Sequence, residues 1–229
     1  MIIIRSIIFN LFFYLWNAVC FVLFIPFYVN YKWCYRVSKI WAMGLIWGLK
    51  KIIGVEIIVE GWENLPKNSG CVIASKHQSA FETFFYWVLP NVAFVYKKEL
   101  SYIPLFGFYH IVLKNIAVDR KAGGTALKKV LNQTKQRVKD GRSVVIFPEG
   151  TRTKVGQKVE YKPAIYGIYK IPEIPVLPAS LNSADIWPKG AFIKKPGTIR
   201  VTIFPPMQKG MEKEGFMREL KGKLESNCK

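Results

Sequence analysis

Between Ser6 and Val29 the chain carries no charged residue. A helix over that stretch is about 36 Å long, more than the roughly 30 Å hydrocarbon core of a bilayer. A segment of this kind needs either lipid or a large protein body around it. A cleaved signal peptide fits poorly, because the run is too long and no small-x-small cleavage pattern follows it. A core helix is the remaining soluble alternative. Asn10, Asn17 and Pro26 interrupt the run, so a kinked or half-inserted helix is compatible with it. Lys32, Arg36 and Lys39 follow the run and only Arg5 precedes it. The excess of basic residues after the run places the rest of the chain in the cytoplasm. Ile40–Leu49 is also apolar but too short to span. Flanked by Lys39 and by Lys50 and Lys51, it reads as an interfacial helix anchored by Trp41 and Trp47, or as an ordinary core helix. The two segments together form a candidate hairpin dipped into one leaflet. The expected division is therefore a membrane anchor over residues 1–53 and a catalytic domain over residues 54–229.

The remainder is rich enough in apolar residues for a full core, since 51% of the 229 residues are hydrophobic. Lys and Arg number 34 against 15 acidic residues, a net charge of +19. That balance fits an anionic partner: nucleic acid, an acidic membrane surface or a phosphorylated substrate. Nucleic acid is disfavoured, because neither a basic recognition element nor a patterned stacking platform is found. Cys20, Cys34, Cys71 and Cys228 are scattered and form no CxxC pair, which points to reduced thiols. His77 and His110 are the only histidines, too few for a His/Cys metal site, so no metal is expected.

Short strand patterns recur at Val55–Glu60, Cys71–Ser75, Val92–Tyr96, Ile116–Val118, Ser143–Phe147, Ile174–Ala179 and Thr198–Phe204. Helical patterns lie between them, near Phe81–Leu89 and over Gly124–Lys139, with a charged surface helix at Met211–Leu224. Strands alternating with helices predict an α/β fold, a mixed central sheet flanked by helices, with N-terminal membrane helices.

Two strand ends carry candidate chemistry. In Lys76–Thr83 (KHQSAFET) a strand stops, His77 follows at once, and a helix begins. A turn of this kind holds a reactive side chain and leaves it open to substrate. Glu82 is within reach of His77 if the histidine stands in the turn, where it fixes the ring tautomer. The competing reading is structural, because Ser79 to Glu82 also fits an S-x-x-E capping box. In Phe147–Arg152 (FPEGTR) a buried strand enters a turn. There Gly150 permits tight geometry with outward N–H groups, and Arg152 offers a fork for phosphate. The structural alternative is an ion pair between Glu149 and Arg152.

HQSAFE and FPEGTR together resemble the His-x4-Asp/Glu and EGTR motifs of the glycerolipid acyltransferase family. Val118–Arg120 resembles its middle motif. Lys98-Glu99-Leu100 with Pro104 and Gly107, and Ile174–Ser180, fit its pattern, so the likeness runs from about Lys50 to Phe204. Two departures stand out: Glu82 where Asp is commoner, and Lys114-Asn115 where a Gly is usual. The resemblance implies transfer of an acyl group from acyl-CoA or acyl-carrier protein, with no cofactor. The acceptor would be the sn-2 hydroxyl of lysophosphatidic acid and the product phosphatidic acid, made at the bacterial cytoplasmic membrane. Glycerol 3-phosphate and lyso-ornithine lipid are the alternative acceptors. His77 would be the base and Glu82 its orienting group. Glu149, Gly150, Thr151, Arg152 and Arg120 would hold the phosphate, with Lys97 and Lys98 assisting. Aromatic residues of the stretch Tyr102–Tyr109 would line an acyl groove, or else simply pack the core.

Overall fold

The computed structural model describes residues 1–104, 106–157 and 159–227. Cys228 lies outside them. Seven strands form one sheet in the order β1-β7-β6-β2-β5-β3-β4. They are β1 (Val55–Glu60), β2 (Val72–Ser75), β3 (Val92–Lys97), β4 (Ile116–Val118), β5 (Ser143–Ile146), β6 (Val176–Leu181) and β7 (Gly197–Ile203). All neighbours pair in parallel except β6 and β7, so the sheet is mixed as expected. The central strands β2 and β6 are buried along their whole length, which explains their unbroken apolar or small-residue runs.

Successive residues of each strand face opposite cores. Ile73, Val145 and Leu177 point to one core; Val72, Val144 and Val176 point to the other. The second core is covered by α5 (Gly123–Lys139), α6 (Ala164–Tyr169) and α8 (Lys213–Glu225), which contribute Val130, Ile165 and Phe216. The first is covered by α1 (Ile2–Leu23), α2 (Tyr31–Gly48) and α3 (Phe81–Phe85), which contribute Phe9, Leu45 and Phe84. Residues of the N-terminal helices therefore share a core with the sheet.

The N-terminal helix differs in detail from the sequence expectation. It runs over Ile2–Leu23 and a 3-10 turn over Ile25–Val29 follows, because Pro26 cannot supply an N–H to a continuing helix. Asn30 then caps α2 by accepting from Lys32 N–H at 2.8 Å. The apolar segment at Ile40–Leu49 is thus the second half of a longer helix. Trp47 is exposed, but Trp41 is half-buried, with its indole N–H on Asn17 at 3.0 Å. The two helices touch closely. A Cβ at Gly44 would lie 2.4 Å from the Trp16 ring, and one at Gly48 would lie 2.3 Å from Phe12.

One side of α1 is fastened to the sheet domain by polar groups. Ser6 donates to Lys194 O at 3.2 Å and accepts Lys194 N–H at 3.0 Å. Asn10 donates to Phe192 O at 3.0 Å and accepts from the Lys194 ammonium. Arg5 reaches Ile53 O at 3.2 Å. Burial holds the Lys194 ammonium down at about 8. The opposite side, with Ile4, Leu11, Leu15 and Val22, is exposed, and Ile40, Met43 and Trp47 of α2 are exposed as well. An apolar surface of this extent is a membrane or partner surface rather than a solvated one.

Candidate active site

The site is built where β2 and β5 end side by side. Val72, Ile73 and Ala74 pair with Val144, Val145 and Ile146, so the residues just beyond both strands emerge together. His77 leaves β2 in the turn before α3. Phe147 leaves β5, and its ring stacks on the His77 imidazole at 4.0 Å.

Glu82, in the first turn of α3, is fully buried. Its Oε2 lies 3.2 Å from His77 Nδ1 and accepts Ser79 N–H at 2.9 Å. Its Oε1 accepts the hydroxyl of Ser183, at the start of α7 (Ser183–Ile186). The two sequence readings of Glu82 therefore coexist: the return bond of a capping box forms, and the same oxygen meets the imidazole. With Nδ1 engaged, Nε2 is the nitrogen left to act on a substrate. A stacked, carboxylate-held imidazole of this kind is a competent general base.

The second motif braces the first. Glu149 is buried, and its Oε2 accepts His77 N–H at 2.8 Å. Its Oε1 meets the Lys76 ammonium at 2.8 Å and the Thr153 hydroxyl at 3.1 Å. Thr153 N–H in turn donates to His77 O at 2.9 Å. The expected phosphate role of Glu149 and the alternative ion pair with Arg152 both give way to this arrangement, because Lys76 neutralises the carboxylate inside the fold. Gly150 also departs from expectation. It has φ +70°, as a tight turn requires, but its N–H is taken by Phe147 O at 2.9 Å.

Thr151 and Arg152 are exposed beyond the turn and line a cavity of about 1120 Å³. His77 lines the same cavity, and so does Arg120, just past β4. Among the described residues neither arginine has a carboxylate partner. Lys97 lines the cavity but pairs with Glu99 at 3.4 Å. Lys98 pairs with Asp119 at 3.1 Å; that bond, with Lys121 N–H, holds the Asp119 carboxyl below its usual range.

The same cavity is lined by apolar residues, among them Phe13 and Phe21 of α1, Phe24 just after it, Trp87, and Tyr109 of α4 (Phe106–Val112). Of the stretch expected to line an acyl groove, Phe106 and Tyr109 line the cavity, while Tyr102 and Phe108 are exposed and outside its lining; Leu105 lies outside the described residues. Asn115, one of the two departures, is structural. It accepts Phe94 N–H at 2.9 Å and meets His110 Nδ1 at 2.8 Å. His110 is buried against Tyr96 and kept neutral, pushed down to about 4 by desolvation.

Sequence reasoning missed Lys76, Ser183, the ring of Phe147 and Lys162, which also lines the cavity. Lys76 and Phe147 flank the motif residues, and a charge ending an apolar strand was a usable signal. Ser183 lies 101 residues from Glu82, and nothing local announces it.

Comparison with known proteins agrees with this geometry. The family model described as Acyltransferase matches residues 56–182. A 1-acyl-sn-glycerol-3-phosphate acyltransferase of Pseudomonas aeruginosa is 37% identical over 93% of this chain and 82% of its own length. One from Cocos nucifera is 26% identical over 84% of this chain, which spans 62% of that longer protein. The crystal structure of the 1-acyl-sn-glycerophosphate acyltransferase of Thermotoga maritima superposes with a TM-score of 0.77, covering 96% of this chain and 93% of that one. At 24% identity that match speaks for the fold alone. With the family model spanning more than half of the sequence and the Pseudomonas relative most of it, the chain belongs to the acyltransferase family and is an acyltransferase.

Proposed function

We propose that the enzyme transfers a fatty acyl group from acyl-CoA or acyl-carrier protein to the sn-2 hydroxyl of lysophosphatidic acid, giving phosphatidic acid. The observation that carries the proposal is a single cavity lined by His77, by Arg120 and Arg152, which among the described residues have no carboxylate partner, and by a set of apolar and aromatic side chains. An acceptor with a free hydroxyl, a phosphate and a hydrocarbon chain calls for those three kinds of lining. The names of the Pseudomonas and Cocos relatives point to the same acceptor.

In the proposed reaction His77 Nε2 takes the proton of the acceptor hydroxyl as its oxygen attacks the thioester carbonyl. The C–O bond forms, the C–S bond breaks, and the thiolate leaves with the proton from the imidazolium. Glu82 keeps Nδ1–H in place and stabilises the transient positive charge. Arg152 and Arg120 grip the phosphate through charge-assisted hydrogen bonds, with Thr151 as a further donor. Glu149 and Gly150 shape the turn that presents them. Lys97 assists at the rim, and Lys98 acts at one remove through Asp119. The thioester supplies the acyl group, so no cofactor or metal is needed.

The exposed apolar faces of α1 and α2 support association with the bacterial cytoplasmic membrane as a half-inserted hairpin. Arg5, Ser6 and Asn10 are committed to the folded domain, which argues against a free spanning helix. The basic residues that follow support a cytoplasmic catalytic face.

The test is acyl transfer by the purified protein with acyl-CoA and acyl-carrier-protein donors. Lysophosphatidic acid, glycerol 3-phosphate and lyso-ornithine lipid are offered as acceptors. Transfer to lysophosphatidic acid at the highest kcat/KM is the expected result. A preference for either of the others overturns the acceptor assignment and leaves the chemistry intact.

A further inference from the structure

Lys189, whose ammonium donates to Arg152 O at 2.7 Å, is not among the cavity-lining residues, and the other cations around the site fall into two groups. Lys76, Lys97 and Lys98 each have a carboxylate within ion-pair distance. Among the described residues Arg120, Arg152 and Lys162 have none, and all three line the cavity. Lys162 is held in a particular way. Its N–H donates to Pro148 O at 2.8 Å, which ties its main chain to the turn after β5. Its aliphatic stem then lies across that turn. A Cβ placed on Gly150 would sit 3.3 Å from Lys162 Cγ and 3.4 Å from its Cε. The glycine therefore serves two needs, a left-handed backbone and room for this side chain. Lys162 is exposed and lines the same cavity as Thr151 and Arg152.

Three unpaired cations exceed what a singly charged headgroup can neutralise. A phosphate monoester carries about 1.5 to 2 negative charges at pH 7, its second ionisation falling near 6. A diester carries one. Arginine forks grip oxygen pairs by geometry, whereas a lysine is a point charge on a rotatable stem and responds mainly to the amount of charge. We propose that Lys162 is the residue by which the site selects a phosphate monoester over a diester. The inference rests on the phosphorylated acceptor proposed above and adds to it the class of phosphate that is read.

The experiment uses the full-length enzyme and a thioester donor the wild type accepts. The acceptors are lysophosphatidic acid and its phosphate methyl ester, a diester with the same hydroxyl and chain. The ratio of kcat/KM for the two acceptors cancels any titration of the shared catalytic base. Lys162→Met should lower the monoester-to-diester ratio about 10- to 100-fold, through the KM of the monoester. Lys162→Arg should restore most of it. In the wild type the same ratio should climb as pH rises from about 5.5 to 7.5, following the second phosphate ionisation, and this climb should flatten in Lys162→Met. A ratio within about threefold of wild type in a folded Lys162→Met enzyme overturns the proposal, as does a pH-independent ratio in the wild type. The pH series needs no variant, so instability of the methionine enzyme does not remove the test. A wild type active on neither acceptor refutes the phosphorylated-acceptor reading itself, an outcome separate from failure of the Lys162 assignment.

Discussion

Replacing Glu82 with Gln removes one charge and almost no volume, at a carboxylate that no solvent reaches. In the resting enzyme the carboxylate accepts from Ser79 N–H and Ser183 and lies 3.2 Å from His77 Nδ1. When His77 takes the acceptor's proton, that contact becomes an ion pair. Two charges about 4 Å apart at an effective dielectric of about 20 attract by roughly 4 kcal/mol. Loss of that attraction alone predicts a rate about a thousandfold lower. The amide adds a second fault. Its NH2 group facing Nδ1 would select the tautomer with the proton on Nε2, which cannot act as a base. The loss should fall on kcat, with acceptor KM nearly unchanged, because Glu82 faces away from the cavity. Gln has one acceptor oxygen for three donors, so one buried donor loses its partner at about 1–3 kcal/mol, a Tm drop of several degrees. Glu82→Asp keeps the charge and withdraws it by one methylene, so it should retain more activity than Gln. Thiol release from acyl-CoA, measured with acceptor in excess, reports kcat, and near-ultraviolet circular dichroism reports the fold. A folded Gln variant within about tenfold of wild-type kcat would refute the dyad and leave Glu82 as a helix cap only.

Arg152→Ala should lower kcat/KM for the phosphorylated acceptor roughly 30- to 150-fold, while thioester hydrolysis by water changes much less; equal losses in both rates would contradict a phosphate contact. Ser183→Ala should lower kcat by about tenfold through a less constrained Glu82, with Ser183→Thr closer to wild type, and equal Ala and Thr rates would remove its positioning role. His110 is neutral when folded, with its ionisation at about 4 against 6.5 when free, so the unfolded chain takes up a proton first as pH falls. Stability should therefore decline as pH drops from about 6.5 to about 4, by about 3 kcal/mol from this group, and be flat below. Urea unfolding of His110→Phe should show a shallower decline over that window; an unchanged slope would exclude the histidine as its source. Deleting residues 1–30 strips buried Phe9 from Trp187 and leaves the Lys194 ammonium without Asn10, so the remainder should aggregate. A monodisperse, active fragment 31–229 on size-exclusion chromatography would show the helix to be a detachable anchor.

The α/β class and the strands were legible because the pattern there is strong: Val55–Glu60 and Ile116–Val118 match the structure residue for residue. The closeness of Glu82 to His77, and the presence of Arg152 on the same cavity, were legible because both motifs follow strand ends. The short helices α6 and α7 were missed, since a single turn or two leaves no periodicity to read. The true length of α2 was hidden by Lys32, Arg36 and Lys39, which look like a break in an apolar segment but continue a helix capped by Asn30. The contacts of Glu149 were not legible, because a turn sequence does not say which side of the turn each residue faces. Only the pairing of β2 with β5 brings Lys76 beneath that carboxylate.

The main chain of His77 is hydrogen-bonded on both sides to the turn that bears Arg152, through Glu149 at its N–H and Thr153 N–H at its carbonyl. The enzyme thereby owns a gauge. The span between the main chains of His77 and Arg152 is set by bonds across two adjacent strand ends, one through the Glu149 carboxylate and one through Thr153 N–H, and the Arg152 side chain adds its own reach to it. An acceptor is then measured by the number of bonds between its hydroxyl oxygen and its phosphorus. Moving the free hydroxyl from the second to the first glycerol carbon adds one bond to the path between that oxygen and phosphorus, without altering the molecule's charge. For the acceptor proposed above, the separation of the two strand ends would then favour one position of the hydroxyl, without a group dedicated to recognising the glycerol itself.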